Sequence, residues 1–161
     1  MIKAPSLWIV YGSFAIALVL AIVPLPAMLQ PFRPFLLAML VAYWAVETPQ
    51  QVGFGTAFLV GLLGDLASAT LLGEQAVRLV VVVWIVQRFR ARLRFFPLWQ
   101  QAVAVGMILF VDRAVVALVQ LAFGLPQLPA SYLLSPAIGV LLWRFLYVLI
   151  DTARLRARER G

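Results

Sequence analysis

The stretch GLLGDLASATLLGE, residues 61–74, sets an ionisable carboxylate, Asp65, inside a run of glycines and aliphatic side chains. A carboxylate in apolar surroundings is costly unless something pairs with it, so Asp65 needs either a partner or a task. The surroundings stay apolar in both directions. Hydrophobic residues make up 65% of the 161 positions, and the mean hydropathy is +1.03. One soluble core cannot hide that much apolar surface, and the surplus must face lipid. The fold class expected is an all-α integral membrane protein, since a helix satisfies its own backbone in hydrocarbon.

The formal charge is +7, with a pI near 11.1. Such a balance suits nucleic acid or anionic lipid, but the thirteen basic residues are bunched. Arg88, Arg90, Arg92 and Arg94 share one short segment, and Arg154, Arg156, Arg158 and Arg160 close the chain, with long apolar spans between. Cytoplasmic loops of multispan proteins carry their basic residues in this way. The expectation is membrane topology, with no nucleic acid.

Cysteine and histidine are absent. That removes thiolate nucleophiles, imidazole bases and Cys/His metal sites, and leaves the redox compartment undecided. The six carboxylates would nearly all be needed for one all-oxygen cage. No metal or cofactor is expected. Ser, Asp, Glu and Arg occur without a triad or a paired-carboxylate arrangement, so the chain does not read as an enzyme.

Six spans are expected in one bundle, approximately 7–23, 30–47, 52–73, 75–88, 98–123 and 132–150, followed by a short basic tail, 151–161. The first, LWIVYGSFAIALVLAIV, has only Lys3 before it and Pro24 and Pro26 after it, and reads as a retained helix rather than a cleaved signal. The second rests on PFLLAMLVAYWAV, residues 34–46, thirteen residues against the roughly 20 needed to cross upright. It borrows length from 27–32, tilts or re-enters, with Arg33 near an interface. Six spans put the N-terminus, the 88–94 loop and the C-terminal tail on the cytoplasmic side, where the clustered arginines fall. Residues 47–51 form a second cytoplasmic loop, and Arg33 is the one basic residue on the other side.

Within the third span Gly53, Ala57, Gly61, Asp65, Ala69 and Gly73 recur every fourth residue, and Gly64 and Ser68 broaden the row. At 3.6 residues per turn the row drifts by about 40° per step, giving a slanted groove of small side chains. It suits close helix approach, either inside the bundle or from another protein's helix. Asp65 lies eight residues before Gly73 and Arg78 five after it. An ion pair between Asp65 and Arg78 across a helix hairpin is therefore expected, since each charge is otherwise stranded. Asp112 and Arg113 are neighbours in the fifth span and point about 100° apart. One of them is expected to meet Arg144 of the sixth span or a polar cavity.

GFGTAFLVGLLGDLASATLLGEQA, residues 53–76, followed by RLRFFPLWQQ, residues 92–101, resembles the MreD family of bacterial rod-shape proteins in its proteobacterial form. There a third-helix G-L-x-x-D precedes a G-x-L-L-G-Q-H-A-like turn and an F-P-x-W-Q-Q-like entry to the fifth helix. The length, the span pattern and the basic tail agree, so the resemblance covers nearly the whole chain. Gly73-Glu74-Gln75-Ala76 stands where a Gln-His pair is common, and no role of that histidine carries over. The resemblance implies a non-enzymatic scaffold for lateral cell-wall growth in the bacterial inner membrane. It would bind the membrane helix and periplasmic part of MreC, and act with the RodA glycosyltransferase, a class B penicillin-binding transpeptidase and the MreB cytoskeleton. It also implies a fold similar to the substrate-capture subunits of energy-coupling-factor vitamin transporters. The groove of Gly53, Ala57, Gly61, Gly64, Asp65, Ser68 and Gly73 is then a candidate dock for the MreC helix. The alternative class is a substrate-binding subunit of a small-solute or vitamin transporter, which would need a pocket of convergent polar groups.

Overall fold

The computed structural model describes residues 7–24, 26–28, 35–126 and 129–159. Lys3, Arg33 and Arg160, the side chain of Arg158, and residues 29–34 at the expected start of the second span lie outside the described residues. Among the described residues there are six α-helices and no strands: α1 (Leu7–Ile22), α2 (Leu36–Glu47), α3 (Phe54–Ser68), α4 (Glu74–Leu93), α5 (Leu98–Ala122) and α6 (Ser135–Glu159). A 3-10 turn, Ala130–Leu134, leads into α6.

The sequence places α2 poorly because α2 is the centre of the bundle. Nine consecutive residues, Leu37 to Ala45, are buried, and α1, α4, α5 and α6 all pack on it. A helix that is apolar all round belongs inside other helices. At 12 residues it is about 18 Å long, short of the roughly 30 Å of hydrocarbon. Its neighbours cover it instead.

Around α2 the outer faces carry large apolar side chains, among them Leu59, Leu63, Phe110, Leu141 and Phe145, each more than half exposed. That perimeter suits hydrocarbon. The segments Leu98–Ala122 and Ser135–Arg156 are long and apolar enough to cross a membrane, while α1, α2 and α3 are shorter apolar helices.

Three helix C-terminal ends differ from expectation by more than one residue. The third helix stops at Ser68 rather than 73, because Ala69 turns into the left-handed region at φ 50° and the Thr70 N–H returns to the Asp65 carbonyl. The fourth runs on to Leu93, so Arg88, Arg90 and Arg92 ride on a helix, and the loop shrinks to the turn before Leu98. Gln101 Nε2 caps that turn from α5, donating to the Leu93 and Phe96 carbonyls. The last helix continues to Glu159, so the described part of the tail is helical. Ala, Leu, Arg and Glu are good helix formers, and nothing in 151–159 breaks the turn.

The bundle has two distinct ends. One holds the C-terminal ends of α2, α4 and α6, where Arg154 pairs with Glu47 and Arg90 Nε donates to the Val46 carbonyl at 2.8 Å. Arg88, Arg90, Arg92, Arg94, Arg154 and Arg156 gather there. The other end holds the α3–α4 turn.

Candidate functional site

The α3–α4 turn answers why Asp65 is where it is. Its side chain is 1% exposed, yet it does not reach an arginine. Thr70 Oγ1 donates to Oδ1 at 2.9 Å, the Gly73 N–H to Oδ2 at 2.7 Å, and the Gln75 N–H to Oδ1 at 2.9 Å. Gly73 precedes the first residue of α4, adopts φ 97° and offers no side-chain cap of its own. Only glycine takes that backbone shape cheaply. Asp65 therefore caps α4 from α3. It satisfies amide donors that a helix start leaves unpaired and sets a negative charge at the positive end of the helix dipole.

The arginine expected beside it is committed elsewhere. Arg78 Nε and NH2 each lie 2.7 Å from an oxygen of Asp112 in α5, a side-on bidentate pair with both side chains buried. Glu74, one turn earlier, approaches Arg78 NH1 at 3.6 Å, and the Phe35 ring lies under the guanidinium at 4.1 Å. The Asp65–Arg78 pair is thus corrected to Arg78–Asp112. Depth alone cannot choose between two acids at one level. The backbone amides of α4 already occupy Asp65, which leaves Asp112 as the buried acid in need of a cation.

The small-residue groove is likewise filled from within. A Cβ on Gly61 would lie 2.6 Å from the Ala76 backbone nitrogen, and one on Gly64 would press on the Gln75 side chain and Leu37. Ala57 is buried, Gly53 and Gly73 are half-buried and Ser68 is exposed. The first turn of α4 lies in the groove, so Gly61 and Gly64 serve internal helix packing and are not an open dock for a partner helix.

Arg144 meets neither Asp112 nor Arg113. It sits exposed on the outer face of α6, beside Phe145, Val148 and Leu149. Arg113 faces a different part of the bundle from Arg144. It lines a cleft of about 430 Å³ with Arg78, Gln75, Ser68, Thr70 and Tyr132. At the opposite end Arg88, Arg92, Arg94 and Arg156 are exposed, while Arg90 and Arg154 are half-buried in the contacts already given.

Sequence reasoning missed four participants: Thr70 and Gln75 around Asp65, and Glu74 and Phe35 around Arg78. Glu74 was legible, since an acid four residues before an arginine is a favoured helix pair. Phe35 was not, because its contact joins elements far apart in the chain. The core aromatics Tyr43, Trp44, Trp143 and Tyr147 form a second unforeseen feature, a run of tilted and edge-on ring contacts between α2 and α6. Among the described residues no group of acids could hold a metal.

The family model described as rod shape-determining protein MreD matches residues 4–153. The rod shape-determining protein MreD of Haemophilus influenzae is 29% identical over 149 residues, covering 92% of this chain and 92% of the relative. No solved structure matches the chain. Asp65 and Arg78, the two charges that build the α3–α4 corner, both fall within the matched range. The chain belongs to the MreD family of rod shape-determining proteins, a membrane protein family.

Proposed function

We propose that this chain is a non-enzymatic membrane scaffold of the bacterial cell-elongation complex, binding the membrane helix and periplasmic part of MreC. Through that contact it helps to position or regulate RodA, its transpeptidase partner and the MreB cytoskeleton at sites of lateral wall growth. The observation that carries the reading is membership of the rod shape-determining family over nearly the whole chain. In this reading the chain crosses the inner membrane six times, with both termini and the arginine-bearing end cytoplasmic. The gathering of Arg88, Arg90, Arg92, Arg94 and Arg154 around the ends of α4 and α6 supports that orientation.

With the α3 groove closed by α4, docking passes to the open perimeter. Between α1 and α6 lies an apolar groove of about 560 Å³, walled by Trp8, Ile16, Leu142, Phe145 and Leu149. Gly12 lies in it with nothing within 4 Å of an added Cβ. Beside it stands Arg144, an exposed charge with no ion pair among the described residues. A charge held against lipid is costly, and a carboxylate on an approaching helix would offset that cost.

The test is to extract the tagged chain in mild detergent and identify by mass spectrometry what co-purifies in near-equal amount. An MreC-like single-span protein is expected, and Gly12→Trp and Arg144→Leu should each reduce its recovery while the chain stays monodisperse. Undiminished recovery in both variants removes the α1–α6 groove. Recovery with an energy-coupling ATPase module or a tightly held solute instead overturns the scaffold in favour of a transporter subunit.

A further inference from the structure

The cleft at the α3–α4 end has a composition that helix packing does not account for. Its volume of about 430 Å³ is in the range of small-molecule sites. One wall is polar, with Ser68, Thr70, Gln75 and Tyr132; the other is apolar, with Ala17, Ala21 and Ile22 from α1, Phe35 just before α2 and Leu36 at its start. The charged groups that line it are two arginines, Arg78 and Arg113.

The two arginines are not equivalent. Arg78 is held by Asp112, Glu74 and the Phe35 ring. Arg113 is half-buried and has no hydrogen bond or ion pair among the described residues. The neighbouring acids are Asp112 and Glu74, and both already face Arg78: Asp112 through its two bonds and Glu74 at 3.6 Å. A guanidinium carries five donors. Partly desolvated, with no carboxylate in contact and a like charge in Arg78 nearby, it is costly in an apolar bundle, and an anion with several acceptor oxygens would offset that cost.

We propose that this cleft binds the phosphate of an anionic membrane lipid at Arg113, with the lipid's apolar part lying along the α1–α2 wall. The apolar wall decides between sources of phosphate. A free phosphate ester gains nothing from Ala17, Ala21, Ile22 and Leu36, whereas an acyl chain buries them. Headgroup charge decides between lipids, since a zwitterionic headgroup brings its own cation beside the Arg113 guanidinium, the cation there without an ion pair. This site is separate from the α1–α6 groove and does not depend on what docks there.

The experiment is native mass spectrometry of the full purified chain, titrated with palmitoyl-oleoyl phosphatidylglycerol, with phosphatidylcholine of the same chains, and with glycerol phosphate. One phosphatidylglycerol should be retained, with phosphatidylcholine at least about tenfold weaker, the scale set by charge-assisted hydrogen bonds. Arg113→Gln should weaken phosphatidylglycerol by about tenfold or more, and Arg113→Lys should recover part of the loss. Arg88→Gln, which removes the same charge at the opposite end, should leave that first lipid in place. Ser68→Trp, which fills the cleft and spares the arginine, should displace it, and serves if Arg113→Gln fails to fold. Equal retention in Arg113→Gln and Ser68→Trp overturns the site, and equal loss in Arg88→Gln reduces the binding to surface charge. Glycerol phosphate binding as tightly as the lipid overturns the lipid as its source.

Discussion

Arg78 and Asp112 should be coupled, and Arg78 and Asp65 should not. The bidentate contact has two N–H···O bonds of 2.7 Å, and both side chains are buried. Removing one partner of a buried pair costs about 3–5 kcal/mol, because the other charge is left uncompensated. The two single variants should fall at opposite ends of that range. In Asp112→Ala, Arg78 keeps Glu74 at 3.6 Å and the Phe35 ring, so a loss of about 3 kcal/mol is expected. In Arg78→Ala, Asp112 keeps no hydrogen bond among the described residues, so the loss should approach about 5 kcal/mol. The double variant strands neither charge and should cost no more than about 5 kcal/mol, leaving a coupling near 3 kcal/mol. Reversible unfolding in mixed micelles, followed through the five tryptophans, measures each corner of the cycle. The parallel cycle for Asp65 and Arg78 should close to within about 0.5 kcal/mol. Additive losses at Arg78 and Asp112, or equal coupling in the two cycles, would refute the assignment of partners.

Gly61→Ala should destabilise by about 1–3 kcal/mol, because the new methyl meets Ala76 backbone that cannot swing aside. Gly55→Ala, with nothing within 4 Å, should instead stabilise by up to about 1 kcal/mol through helix propensity; opposite signs in the same unfolding assay are the check. Asp65→Asn should cost about 1–2 kcal/mol through the loss of charge at the α4 start. Hydrogen exchange should show it first at the Gly73 and Gln75 amides, and unchanged protection there would remove the cap. Ala69→Gly should stabilise by about 1 kcal/mol, since Ala69 holds φ 50°, a shape that costs an L side chain about that much; a lower midpoint would show that its methyl packs usefully.

Much of this protein was legible in its sequence, for a reason that also sets the limit. Six helical segments follow from apolar runs and their breakers, because in an apolar solvent the backbone must bond to itself and length and composition then fix the element. The importance of Asp65, Arg78, Asp112 and Arg113 was readable in the same way, since a charge inside an apolar run has to be accounted for. The order of the motifs around Asp65 and Pro97 also pointed to the family. Partnership was a different matter. Asp65 and Arg78 sit at similar depth, and so does Asp112. Only the tertiary packing shows that α4 amides take Asp65 while Arg78 turns to α5.

The groove divides in the same way. Spacing four residues apart shows that α3 has a thin face, but the spacing is identical whether the occupant is α4 or a foreign helix. Likewise α2 looked too short to span because a one-dimensional reading compares it with a bilayer, whereas the folded chain surrounds it with other helices. The sequence by itself determined which segments are helical, which side chains carry an electrostatic debt and which end of the bundle gathers cations. Tertiary structure alone decided which charges meet, which small faces are already filled and that Arg113 opens onto a cleft. Periodicity and hydropathy are properties of one segment at a time, while pairing and cavities arise between segments far apart in the chain.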